Sequence, residues 1–205
     1  MSRTLFVILA AGLLTTLRAH AQAQPADTTR PASQLTTEQQ IAAAVLAAPE
    51  EMRAGATVLG YDSDGHLKKL RQGSGVLVCL ASDPKAERFH VACYQRSLEP
   101  FMARGRALRA RGVTGDKVDS VRFAEVRAGK LRMPNHPAML YSLTGPADSF
   151  DPASGTAPNA KPLFVVYVPF ATGKSMGLST TPVEGAPWIM HAGTPKAHIM
   201  FQPRM

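Results

Sequence analysis

The stretch Val76-Leu77-Val78-Cys79-Leu80-Ala81-Ser82-Asp83-Pro84-Lys85-Ala86-Glu87-Arg88-Phe89-His90-Val91-Ala92-Cys93-Tyr94 decides how this chain folds. Two runs rich in β-branched, aromatic and other apolar residues flank a polar segment, which is the pattern of a β-hairpin. Centring the hairpin on Ala86 sets Cys79 opposite Cys93. Their Cβ atoms would then lie about 4.5–5.5 Å apart or a little closer, near what a disulfide needs. The spacing therefore predicts a Cys79–Cys93 disulfide, worth up to ~3 kcal/mol before strain. Two buried thiols or a redox dithiol are the alternatives. The second lacks a Cys-x-x-Cys spacing or a helix start to lower a thiol pKa.

Upstream, residues 56–61, the turn Asp62-Ser63-Asp64-Gly65, residues 66–71 and the break Gly73-Ser74-Gly75 extend the hairpin into an antiparallel meander. Before it, Thr36 and Gln39 have capping-box spacing. Ile41, Ala44, Val45 and Ala48 follow at helical intervals, predicting a first helix from about Thr37 to Ala48 that Pro49 stops. Downstream, Ser97 as N-cap, Pro100 in the first turn and the stripe Leu98, Phe101, Met102, Gly105 and Leu108 predict a second helix ending near Gly112. Residues 116–128 predict a third, with Gly129 as its C-terminal cap.

Residues 139–143 and 163–168 read as strands, joined by a long Pro/Gly/Ser loop from Gly145 to Pro162 that sets Phe150 among polar residues and is a candidate interaction segment. Residues 188–191 and 198–201 close the fold as a last pair. The class is α+β: a mainly antiparallel sheet, meander plus C-terminal strands, packed with about three helices in a single domain over residues 37–205.

The N-terminus carries an address. Arg3, an apolar run from Leu5 to Leu17 and the small residues Ala19-His20-Ala21-Gln22-Ala23 have the layout of a secretory signal peptide. Cleavage is expected after Ala21, with Ala23 the alternative. The apolar run falls short of the ~20 residues that span a bilayer, so no transmembrane segment is expected in the mature chain. Residues 22–36, rich in Pro, Ala, Ser and Thr, read as a disordered leader. These features point to export, into a bacterial periplasm or similar space where a disulfide persists.

Lys and Arg number 23 against 15 Asp and Glu, a formal charge of +8, and 45% of residues are hydrophobic. That composition excludes a disordered chain and a multi-span membrane protein. A basic exported protein is drawn to anionic envelope components. Nucleic acid is not an expected partner, because the aromatic residues are sparse and do not interleave with the basic ones.

Three constellations carry chemistry. In the first, pairing His191 with His198 across Gly193-Thr194-Pro195 would put both imidazoles on one face, with Met200 beside them and Met190 on the other. Imidazole plus thioether suits copper, and His136 is a further candidate ligand. In the second, Gly173-Lys174-Ser175-Met176-Gly177 spells a nucleophile elbow, with Glu184 and then His191 or His198 following Ser175 in hydrolase order; the residues after it, 178–182, make a poor helix. Third, Asp62-Ser63-Asp64-Gly65 resembles the start of a calcium loop but lacks the acidic residue at loop position 12, so a hairpin turn accounts for it. The arginines from Arg104 to Arg111, with Lys68, Lys69 and Arg71, read as solvated surface or as an anion-binding face.

The expected role is therefore an exported, non-catalytic binding or envelope-associated domain. A copper-binding protein using His191, His198 and Met200, and a small serine hydrolase using Ser175, are the alternatives.

Overall fold

A computed structural model describes residues 35–203. The expected signal peptide, residues 1–21, and most of the expected leader lie outside the described residues. The leader's last two residues belong to the fold: Leu35 packs on the core, and Thr36 caps the first helix.

Eight strands form one mixed sheet in the order β2-β1-β3-β4-β5-β6-β8-β7: β1 Thr57–Tyr61, β2 Leu67–Arg71, β3 Leu77–Leu80, β4 Arg88–Gln95, β5 Ala138–Pro146, β6 Lys161–Tyr167, β7 Trp188–Met190 and β8 His198–Phe201. Every neighbouring pair is antiparallel except β1 and β3. That pair departs from the expected meander, in which β3 would lie beside β2. Instead the chain crosses back and pairs Val58 with Cys79. The crossing needs the glycines: a Cβ on Gly73 would lie 2.2 Å from the Gly55 carbonyl oxygen.

Helix α1, Thr37–Val45, begins with the expected capping box: Thr36 Oγ1 accepts from Gln39 N and Gln39 Oε1 from Thr36 N, at 3.2 and 2.9 Å. It ends earlier than the apolar pattern predicts. A further single turn, α2 Glu50–Arg53, follows Pro49. Arg53 closes the junction by donating to the carbonyls of Ala48 and Leu46, which the end of a helix leaves without partners.

Side-chain alternation along the strands divides the core in two. On one face α1 covers Val58, Leu77, Cys79, Val91 and Cys93. On the other, Val78, Tyr94, Val165 and Tyr167 meet Leu98 and Met102, at the start of α3 Glu99–Ala110. Of the expected stripe, Leu98, Phe101, Gly105 and Leu108 are buried and Met102 is half-buried. The cap differs. Gln95, not Ser97, supplies the side-chain acceptor, to Ser97 N at 2.6 Å, and a 3-10 turn Arg96–Leu98 precedes α3.

α4, Asp116–Arg127, packs on α3. A Cβ on Gly105 would come within 2.9 Å of Arg122 Nη1, so the glycine makes room for a cation arriving from α4.

The β5–β6 connection also differs from expectation. Asp151 and Thr156 form a β-bridge within it, and Phe150 is buried, its ring stacked 6.3 Å from that of Phe89. This segment closes the core. Among the described residues, no helix is long and apolar enough to cross a membrane.

Candidate functional site

Chemistry collects at the β6–β8 end, on the α4 side of the sheet. Arg122 is buried with its guanidinium carbon 3.9 Å from the centre of the Phe101 ring. It donates to the Phe101 carbonyl and to Asp119, one turn earlier on α4. Asp119 also accepts from Lys196 Nζ at 2.8 Å and so ties α4 to the loop before β8. Burial opposes ionisation of Asp119, but the hydrogen bonds from Lys196 and Arg122 outweigh it and hold the carboxyl below its ordinary range.

His198 opens β8 opposite Tyr167 of β6 and Met190 of β7. Its Nδ1 lies 2.7 Å from the Lys196 carbonyl. A carbonyl only accepts, so Nδ1 carries the proton and the neutral ring keeps a lone pair on Nε2. The ring centre is 5.1 Å from that of Tyr167 and 5.5 Å from that of His191. Burial, more than the neighbouring charges, lowers the pKa of both histidines. Burial also pushes the Tyr167 hydroxyl up to about 12.

The expected register is off by one. Met190, not His191, pairs with His198, and Trp188 pairs with Met200. Regular alternation would then turn His191 away from His198, but β7 stops at Met190 and His191 takes a left-handed backbone, φ 52°. The turn restores the meeting of the two imidazoles. It also changes their company: Met190, expected on the far face, shares the face of His198, whereas Met200 is half-buried and packed into the core. His136 stands apart, exposed between α4 and β5, with Nδ1 donating to the Pro137 carbonyl at 3.0 Å.

A groove of about 570 Å³ runs between residues 131–137 and 168–171. Val126, Leu131, Met133 and Phe170 give it apolar walls, and Arg132 is its cation. Arg132 makes no ion pair among the described residues. Phe170 is 50% exposed with φ 65°.

Phe170 and His191 are the only non-glycine residues at positive φ among those described, and their segments are hydrogen-bonded together. Phe170 N donates to Thr194 O, Gly193 N to Ala171 O and Val168 N to Ala197 O, at 2.9, 2.7 and 2.9 Å. Such backbone strain costs about 1–3 kcal/mol per residue and clusters at ligand clamps and active sites.

Ser175 lies in α5, the single turn Gly173–Met176. Its Oγ accepts from Thr172 N and donates to Thr172 O, at 2.9 and 3.0 Å, while Thr172 Oγ1 accepts from Ser175 N. The hydroxyl caps this turn and has no hydrogen bond to Glu184 or to either histidine. The helix that an elbow requires is absent after it: Gly177 ends the turn in the left-handed region, φ 64°.

Ligand atoms of Asp62, Asp64 and His66 lie within 4.8 Å of one another in an exposed turn. Asp62 Oδ1 accepts from Asp64 N and His66 N there, the side-chain-to-backbone bonding of a hairpin turn. Cys79 and Cys93 form the expected disulfide in the expected register and are fully buried, Cα atoms 3.9 Å apart.

Protein-family profiles, curated proteins and solved structures were compared with this chain, and none matches it.

Sequence reading missed Asp119, Arg122, Tyr167 and Lys196 as a group, along with the strain at Phe170. The i, i+3 spacing of Asp119 and Arg122 was visible, but nothing local marks a helix cation that a glycine on another helix admits.

Proposed function

We propose that the protein is an exported, periplasmic binding domain without a catalytic role, and that its ligand is an anionic amphiphile of the envelope held in the groove at residues 131–137 and 168–171. The observation that carries this reading is an exposed aromatic, Phe170, kept at positive φ in a groove shared with Arg132, a cation without an ion pair among the described residues. The apolar walls suit an acyl or similar chain, and Arg132 suits its acidic head group. The volume is in the range of small-molecule sites, ~300–1,000 Å³. A surplus of positive charge across the chain favours encounter with acidic surfaces. The signal-like N-terminus and the buried disulfide support export.

Titration with a short-chain phosphatidylglycerol below its micelle concentration, beside the phosphatidylcholine of equal chain length, tests the reading. The anionic lipid is expected to bind and the zwitterionic one to bind much more weakly. Arg132→Glu should remove the preference. Equal binding of both lipids, or an unchanged preference in Arg132→Glu, contradicts the proposal.

A further inference from the structure

We propose that His191, His198 and Met190 form a copper(I) site at the open end of the β7–β8 pair. Three observations converge on it. The two imidazole centres are 5.5 Å apart, a separation at which two rings can turn a nitrogen each toward one shared ion. His198 is already oriented as metal-binding histidines are, with one ring nitrogen held by a backbone carbonyl and the other left with its lone pair. Met190 is the cross-strand partner of His198, directly opposite it, where side chains on one face stand about 5 Å apart at Cβ.

The choice of ion follows from the donors. Two neutral imidazoles and a thioether make a soft set, which selects copper(I) over magnesium or calcium. Zinc would call for a third histidine, a carboxylate or a thiolate beside these two; His136 stands apart, and Asp119 is committed to Arg122 and Lys196. That commitment serves the site in a second way. Lys196 is the cation closest in sequence to His198, and its pairing with Asp119 offsets the repulsion it would exert on a bound ion. Access comes from the edge of the sheet, where His191 is exposed and Met190 is 37% exposed. His198, 7% exposed, is the anchor at the back.

The left-handed backbone at His191 gains a purpose in this reading. In an unbroken strand its ring would face away from His198, and the strained turn is what puts it alongside. Met200, two residues along β8 on the same face as His198, is half-buried and packed on the core cluster of Val165 and Tyr167, whereas Met190 is exposed at the sheet edge.

The experiment is anaerobic titration of the whole exported protein with copper(I) in the presence of ascorbate and a competing chromogenic chelator, with the thermal transition recorded for each variant. One equivalent is expected to bind. His191→Ala, at an exposed position, should keep its transition and lose the site. Met190→Leu should weaken binding by at least about tenfold, and Met200→Leu should leave it unchanged.

Copper affinity retained in a folded His191→Ala overturns the site. Weakening in Met200→Leu with none in Met190→Leu overturns the third ligand. Arg132→Glu, which disables the groove, is expected to bind copper as the parent does, so failure of the lipid reading and failure of the copper site are read separately.

Discussion

Around Cys79 and Cys93 the chain leaves nothing unfinished: α1 covers the strands, the side chains are apolar, and a covalent bond ties β3 to β4. Around His191 and Phe170 it leaves a great deal. Two residues sit in the left-handed region, two imidazoles lie 5.5 Å apart, Arg132 makes no ion pair among the described residues and a groove stands open. Both regions belong to one continuous sheet, so the difference is not one of architecture. If the β6–β8 end binds as proposed, it is a division of labour, in which the strands near α1 supply stability that allows that end to hold strained, polar geometry.

The comparison breaks most easily at the disulfide. Cys79→Ala with Cys93→Ala should cost up to about 3 kcal/mol from loop closure, lowering the thermal midpoint by as much as roughly 6–12 °C, while the folded fraction still binds lipid and copper. Calorimetry and titration of the same sample check this; loss of binding ahead of unfolding would show that the two regions are not separate.

Asp119→Ala attacks the other region. It strands Arg122 beneath α3 without its carboxylate and should cost about 2 kcal/mol, read as a shift in urea midpoint at constant slope. A shift near zero would make the network ornamental.

The same carboxyl sets an acid dependence. Its folded-state pKa lies below the unfolded value, so its contribution is complete above about pH 4 and disappears as pH falls through the lower, folded value. Urea midpoints between pH 5 and 2.5 should fall less steeply in Asp119→Asn than in the parent. Parallel curves would contradict the assignment.

The smallest effect is the most specific. Phe170→Gly relieves a positive φ at a half-exposed ring and should raise stability by up to about 1 kcal/mol, yet weaken lipid binding. A variant that loses stability places Phe170 in the structural class instead.

These regions also differed in how well they could be read from sequence. The disulfide register, the capping box at Thr36 and the Phe101 stripe follow from local spacing, and the structure carries all three. The parallel β1–β3 pairing did not, because a crossing at Gly73 and a hairpin at Gly73 leave the same glycine signature. Phe150 read as a loop residue since its neighbours are polar, and only the long-range contact with Phe89 makes it core. At the candidate site the two histidines are legible from their places on either side of Gly193-Thr194-Pro195, but the register differs by one. The register puts Met190 on the face of His198 and a single left-handed residue brings His191 back beside it, and the enrichment of histidine at positive φ is too weak a mark to read from sequence.

The most direct test of the division between a stapled core and a binding end is a backbone amide NMR map of the protein titrated with short-chain phosphatidylglycerol. Shifts are expected to concentrate in residues 131–137 and 168–171, with smaller ones in the hydrogen-bonded segment 191–197 and none around Cys79 and Cys93. Shifts centred on β1–β4, or spread evenly over the basic surface, would contradict it.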